Sequence, residues 1–241
     1  MSRSISLDDL LTVLGQGQME MQGLLPYGSN YTFLVSLAHC EHKVLAVYKP
    51  VRGERPLWDF PEETLGMREV AAFVVSEALG WDFVPPTVYR EGPHGPGSVQ
   101  WFVEAEAGVH YFNMTDAEHP FLRRVALFDL LVNNADRKGG HVIRDRHGKL
   151  WCIDHGICFH SDPKLRTVIW DFAGDPVPDD LVADLQSFRQ RLDGDENLRE
   201  ALGALLIPAE VVALRRRTDR LLRSKRYPDP GPGRNFPWPP L

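Results

Sequence analysis

The sequence predicts an α+β chain, rich in strands at its N-terminal end and mostly helical beyond its middle. Three strand-like runs, Met19–Leu24, Tyr31–Ala38 and Lys43–Pro50, follow one another with turn residues between them. The C-terminal part reads as three amphipathic helices, Asp179–Leu192, Glu196–Leu206 and Ala209–Arg223. Between the two, an apolar helix pattern runs into a polar loop that is followed by two short strand-like runs.

With 241 residues the chain can bury a sizeable core, as one large or two small domains. A formal net charge of −6 argues against a general nucleic-acid binder, which needs a broad basic face. No apolar run approaches the roughly 20 residues that span a bilayer. Met1-Ser2-Arg3-Ser4 lacks the apolar core of a signal peptide. A cytoplasmic location without stable membrane insertion is therefore expected. Cys40, Cys152 and Cys158 are too few for a disulfide framework. Cys152, His155, Cys158 and His160 crowd together, yet their spacing fits no standard zinc motif, and buried thiols are the better reading.

Taken in order, Ser6 caps a short helix through Leu14, with Asp8 and Asp9 in its first turn. Pro26-Tyr27-Gly28-Ser29-Asn30 and Cys40-Glu41-His42 punctuate the three strands as a β-meander. The third strand alternates through Val44-Leu45-Ala46-Val47-Tyr48 and ends on Lys49. Pro61, Glu62 and Glu63 open a helix that Gly80 stops after Leu79, with Glu69 beside its apolar face. Pro85–Tyr89 reads as an edge strand, Gly92–Gly97 as a loop and Val99–Glu104 as a further strand carrying Trp101, Phe102 and Val103. A polar stretch, Ala107–Pro120, precedes the apolar helix Phe121–Val132, and His160–Pro178 has few periodic signals. The last helix ends in Arg215, Arg216, Arg217, Arg220, Arg223, Lys225 and Arg226. Cations at a helix C-terminus read as a solvated end more readily than as a lipid patch. Tyr227–Leu241 is rich in Pro and Gly, so it is either disordered or an extended strap.

The stretch Val125–His160 organises the rest. Its helix ends in Asn133-Asn134-Ala135-Asp136-Arg137-Lys138-Gly139-Gly140-His141. Val142–Arg144 and Leu150–Ile153 follow as strands around the turn Arg146-His147-Gly148-Lys149, and the second strand delivers Asp154-His155-Gly156. One carboxylate leaves a helix, another leaves a strand, and the hairpin between them brings both to one site. The arrangement resembles the catalytic half of the kinase fold. Its wording, D-R-K-G-G-H followed by I-D-H-G, is similar to the D-R-H-x-x-N and I-D-F-G of phosphatidylinositol 3- and 4-kinases, with HipA-like kinases as more distant relatives. His141 stands where those kinases have a metal-binding Asn, and Lys138 where they have His.

The resemblance implies a bilobal fold of the phosphatidylinositol 3/4-kinase type, with an N-lobe over 1–106, a C-lobe over 107–226 and a tail over 227–241. It implies an ATP-dependent kinase using Mg²⁺ or Mn²⁺. Gly28 and Ser29 would lie over the nucleotide phosphates, Lys49 would contact them, and Glu69, rather than Glu62 or Glu63, would pair with Lys49. Trp101, Phe102 and Val103 would line the adenine site. Asp136 would orient the acceptor hydroxyl, and Lys138 would set a positive charge on the transferring phosphate. Asp154 would hold the metal, with His141 either a second ligand or a hydrogen-bonding member of the loop. His160–Asp171 offers only Lys164 and Arg166 against Asp162 and Asp171, which favours a protein Ser/Thr, including the chain's own, over a phosphoinositide. Because imidazole is a poor Mg²⁺ ligand, a nucleotide-binding pseudokinase is the alternative. A small-molecule kinase is a third reading.

Overall fold

The computed structural model describes residues 5–25 and 31–241; Gly28 and Ser29 lie outside the described residues. Ser6 caps α1 (Leu7–Gln16) by accepting the Asp9 amide at 3.1 Å. Strands β1 (Gln18–Leu24), β2 (Phe33–His39) and β3 (His42–Pro50) form the antiparallel meander, and β4 (Thr87–Gly92) and β5 (Gly95–Trp101) complete the sheet. The order is β1-β2-β3-β5-β4, so the strand that follows Pro85-Pro86 is an edge. A small core joins Leu10, Val13 and Leu14 of α1 to Val35, Leu37, Ala46, Tyr48 and Val99.

Two expectations give way here. Gly92–Gly97 is no open loop: Gly92 pairs with Gly95, and β4 and β5 run to the tip of a hairpin. The strand expected over Val99–Glu104 ends at Trp101, because the chain then crosses to the second body, where Ala105 bridges Asp145. The glycine at 97 has a local cause. A Cβ there would fall 2.3 Å from the Lys49 carbonyl oxygen and 2.7 Å from Pro50 Cα. Only a bare Cα lets β5 approach the end of β3 and fix the height of Lys49. Gly97→Ala is expected to cost about 1–3 kcal/mol in a urea titration, the range for overpacking a tight contact. An unchanged midpoint would contradict that reading.

Helix α2 (Leu65–Ala78) starts later than Glu62. Glu63 takes a left-handed φ of 63°, and the Glu54 carboxylate accepts the Leu65 and Gly66 amides at 3.4 and 3.0 Å. The helix is thus capped from a segment before it rather than by its own first glutamates. Its Ala71, Ala72 and Val75 join the larger core, shared with α3 (His119–Val132), the hairpin β6 (Val142–Arg144) and β7 (Leu150–Cys152), α4 (Asp179–Gly194), α5 (Glu196–Leu205) and α6 (Pro208–Ser224). A fully buried ion pair, Arg68 Nη2 to Glu210 Oε1 at 2.7 Å, ties α2 to α6.

Cys152 and Cys158 are buried in this core, and among the described residues no three His, Cys, Asp or Glu side chains group as a metal centre. The basic run of α6 is divided. Arg217 donates to the Leu131 and His160 carbonyls and Arg215 to that of Leu192, while Arg216, Arg220 and Arg223 are exposed. No helix among the described residues is long and apolar enough to cross a membrane. Of the two forms open to the tail, the strap is present. Tyr227 is buried with its hydroxyl on the Arg123 carbonyl at 2.9 Å, and the chain beyond it returns across the helical body to the loop after α3.

Candidate active site

Strand β3 ends where its alternation turns Lys49 away from the small core and into the space between the sheet and the hairpin. Its Nζ lies 2.5 Å from Glu69 Oε1 on α2 and 2.9 Å from Asp154 Oδ1 after β7. Glu69 is almost fully buried, and its second oxygen accepts the His155 amide at 2.8 Å. One carboxylate therefore fixes both the lysine and the backbone beside Asp154. Burial works against the Lys49 ammonium, but Asp154 and Glu69 outweigh it and hold its pKa above the ordinary value. Lys49 in turn holds the Asp154 carboxyl well below the usual carboxylate range, against the cost of burial. Burial pushes Glu69 upward against the pull of Lys49. Asp154 itself adopts a left-handed φ of 63°, a conformation that Asp tolerates better than most residues.

The loop after α3 is shaped by its asparagines. Asn133 ends the helix at φ 55°, and its side chain binds the carbonyls of His160 and Asp162 and the Lys164 amide. Asn134 accepts the Asp136 amide at 3.0 Å and donates to Asp129. Arg137 turns inward and does not pair with Asp136. It is fully buried, grips Asp129 at 3.0 Å, and donates to the Ile153 carbonyl at 3.1 Å. Its Nη2 also lies 2.7 Å from His155 Nε2. Burial and the neighbouring guanidinium keep that imidazole neutral, so it acts as the acceptor. Asp129, Arg137 and His155 thus lock the two carboxylate-bearing segments together beneath the surface.

Above this lock, Asp136 and Lys138 face outward, Lys138 Nζ lying 3.4 Å from Asp136 Oδ2. Burial raises the Asp136 pKa; Lys138 opposes that rise and the charge of Asp154 adds to it. His141 Nε2 lies 3.2 Å from Asp154 Oδ2, and its Nδ1 faces the Lys138 amide at 3.4 Å. Burial lowers the His141 pKa to about 4 despite Asp154, so the ring is neutral at pH 7. The contact with Asp154 is then an Nε2–H donation.

These residues enclose a cavity of about 480 Å³. Lys49, Glu69, Asp136, Lys138, His141 and Asp154 line it, as do Trp101, Phe102 and Val103 at the point where β5 leaves the sheet. Trp101 is also part core, packing against Trp151 at 5.5 Å between ring centroids. Glu62 and Glu63 are exposed and stay outside. Sequence reasoning missed Asp129, His155 and Leu241, which also lines the cavity. An aspartate on an otherwise apolar stretch of α3 was the available signal for the first. Leu241 had none, since only tertiary contacts bring the tail back.

Comparison with known proteins is informative at three levels. Across 96% of its length the chain is 38% identical to Protein Rv2133c of Mycobacterium tuberculosis (strain ATCC 25618 / H37Rv), covering 95% of that protein. It is 26% identical over 154 residues to phosphatidylinositol 4-kinase gamma 3 of Arabidopsis thaliana and gamma 4 of Oryza sativa subsp. japonica. Those matches span 60% and 55% of this chain but only 26% of each plant protein. The fold is similar to that of the Helicobacter pylori proinflammatory kinase CtkA, with a TM-score of 0.54 and 12% identity over 88% of this chain and 94% of the other. The chain therefore has a kinase-like fold, a β-sheet lobe against a helical one. No family model matches it. At that identity and coverage, the chain belongs to the same family as Protein Rv2133c.

Proposed function

We propose that this protein is an ATP-dependent phosphotransferase of the phosphatidylinositol 3/4-kinase type that moves the γ-phosphate to a hydroxyl, a protein Ser or Thr before a phosphoinositide. The observation that carries this is Lys49 held between Glu69 and Asp154 on the same cavity as Asp136. Phosphoryl transfer asks a protein for position and charge neutralisation rather than covalent chemistry. Lys49 supplies a cation for the nucleotide phosphates, oriented by its two carboxylates. Asp136, with its pKa raised by burial, is suited to accept the proton of the acceptor hydroxyl. Lys138 adds positive charge beside it.

The donor set fits a divalent cation. Asp154 offers a hard carboxylate that stays ionised, and a neutral His141 stands next to it. Mg²⁺ or Mn²⁺ would be held by Asp154 with His141 alongside, adding charge neutralisation at the phosphates. To join the metal, His141 would give up the Nε2–H that it donates to Asp154 and present that nitrogen's lone pair, and an imidazole nitrogen suits Mn²⁺ better than Mg²⁺. Turnover is expected to be higher with Mn²⁺, and His141→Asn is expected to move the preference toward Mg²⁺. Equal turnover with both metals in both proteins would remove His141 from the metal shell.

The second reading, a nucleotide-binding module without turnover, draws on the hydrogen bond that His141 makes to Asp154. The two readings separate on Lys49→Met, assayed for ATP affinity and for ADP production. The phosphotransferase reading expects both to fall by about tenfold or more, the scale of removing one desolvated charged hydrogen bond. The module reading expects affinity alone to change, because the wild type makes no ADP.

A further inference from the structure

The tail returns to the candidate active site along a defined route. The Asn235 carbonyl accepts the Thr167 amide at 3.0 Å and Trp170 Nε1–H at 3.2 Å, and the Pro240 carbonyl accepts the Gly139 amide at 2.8 Å. The strap therefore binds both the segment after the Asp154 turn and the loop that carries Asp136. Gly139 is closed in around it. A Cβ at 139 would fall 2.6 Å from the Phe112 ring and 3.5 Å from Leu241 Cδ1, and Leu241 lines the cavity together with Asp136 and Lys138.

Three features of the final segment bear on its role. It reads Phe236-Pro237-Trp238-Pro239-Pro240-Leu241 and has no hydroxyl side chain. Its large side chains are poorly buried, with Phe236 52%, Trp238 78% and Leu241 59% exposed, so little apolar area holds it down. It meets the loop through its main chain, the Pro240 carbonyl accepting the Gly139 amide, a contact that does not depend on which side chains the segment carries.

We infer that Phe236–Leu241 occupies the path of the acceptor as a hydroxyl-free stand-in, and that the acceptor is a polypeptide that displaces it. This rests on the phosphotransferase reading and names its substrate class. In the transfer, the acceptor oxygen forms a bond to the γ-phosphorus, the bond from that phosphorus to the bridging oxygen of ADP breaks, and the hydroxyl proton passes to Asp136.

Two variants test it. Leu241→Ser puts a hydroxyl into the segment, and incubation with ATP and Mn²⁺ followed by mass mapping is expected to find phosphate on Ser at 241. Truncation after Asn235 keeps the anchor at Thr167 and Trp170. Hydrogen exchange is expected to show the Gly139 amide losing protection by about tenfold or more, as a local opening frees it. A synthetic peptide of residues 236–241, the part the truncation removes, added in trans is expected to restore that protection. Unchanged exchange at Gly139 on truncation would overturn the seating of the tail. ADP formation with position 241 left bare in the Leu241→Ser protein would overturn the acceptor path alone. A protein that binds ATP and forms no ADP, with the exchange response intact, fails the phosphotransferase reading itself and the acceptor assignment with it.

Discussion

Asp154→Asn is expected to abolish phosphate transfer, by a thousandfold or more, while the protein keeps its fold. The magnitude is that of removing several kcal/mol of charge stabilisation, at about 1.4 kcal/mol for each factor of ten. The fold is spared for two reasons. Asn tolerates the left-handed backbone at this position, as Asn133 does at the end of α3. Lys49 keeps Glu69 as a partner, so no buried cation is stranded. Comparing ADP production and the unfolding midpoint of the two proteins checks both halves. Retained turnover would remove Asp154 from the chemistry, and a collapsed midpoint would assign it to structure.

Arg137→Ala is expected to have the largest effect on stability. It leaves Asp129 buried without its cation, and opening a buried pair in this way costs about 3–5 kcal/mol. The effect is compounded because the Ile153 carbonyl and His155 Nε2 lose their donor as well. A denaturant titration reads the loss directly, and a change within about 0.5 kcal/mol, the range of an ordinary surface substitution, would contradict the lock. Arg137→Lys is not expected to rescue it, because one ammonium cannot reproduce the bidentate grip on Asp129 together with two further bonds. Asp136→Ala, one residue away and facing the cavity, is expected to leave the midpoint near that of the wild type. The contrast between neighbours follows from which way each side chain turns.

What was legible in the sequence is what local periodicity and spacing encode. Alternation through Val44–Tyr48 set Lys49 at a strand end, and the runs Val142–Arg144 and Leu150–Ile153, the second one residue longer than the strand that forms, set Asp154 opposite the loop that holds Asp136. The helices of the C-terminal part fell within a residue or two of their observed ends, since each buries one regular stripe. Illegible were the features made by distant segments. Glu54 caps α2, so the helix begins after the Pro61-Glu62-Glu63 signal that pointed to its start. Arg137 reaches back to Asp129 only because Asn133 reverses the chain in a left-handed turn. His155, read only as one of a crowd of Cys and His side chains without a standard zinc spacing, supplies the acceptor that a buried guanidinium needs beside its carboxylate. The tail's composition excluded a helix but could not show that its end lies against Gly139.

Whether Lys49, Asp136 and Asp154 form a working phosphotransfer site or a nucleotide-binding cradle is read from one incubation. The full chain is mixed with ATP labelled at the γ-phosphate and with Mn²⁺ or Mg²⁺, and ADP and label on protein hydroxyls are followed together in wild type and Asp154→Asn. The expected result is ADP formed in step with label on Ser or Thr, faster with Mn²⁺ and absent in the variant. ATP bound by the wild type with no ADP formed under either metal would contradict it.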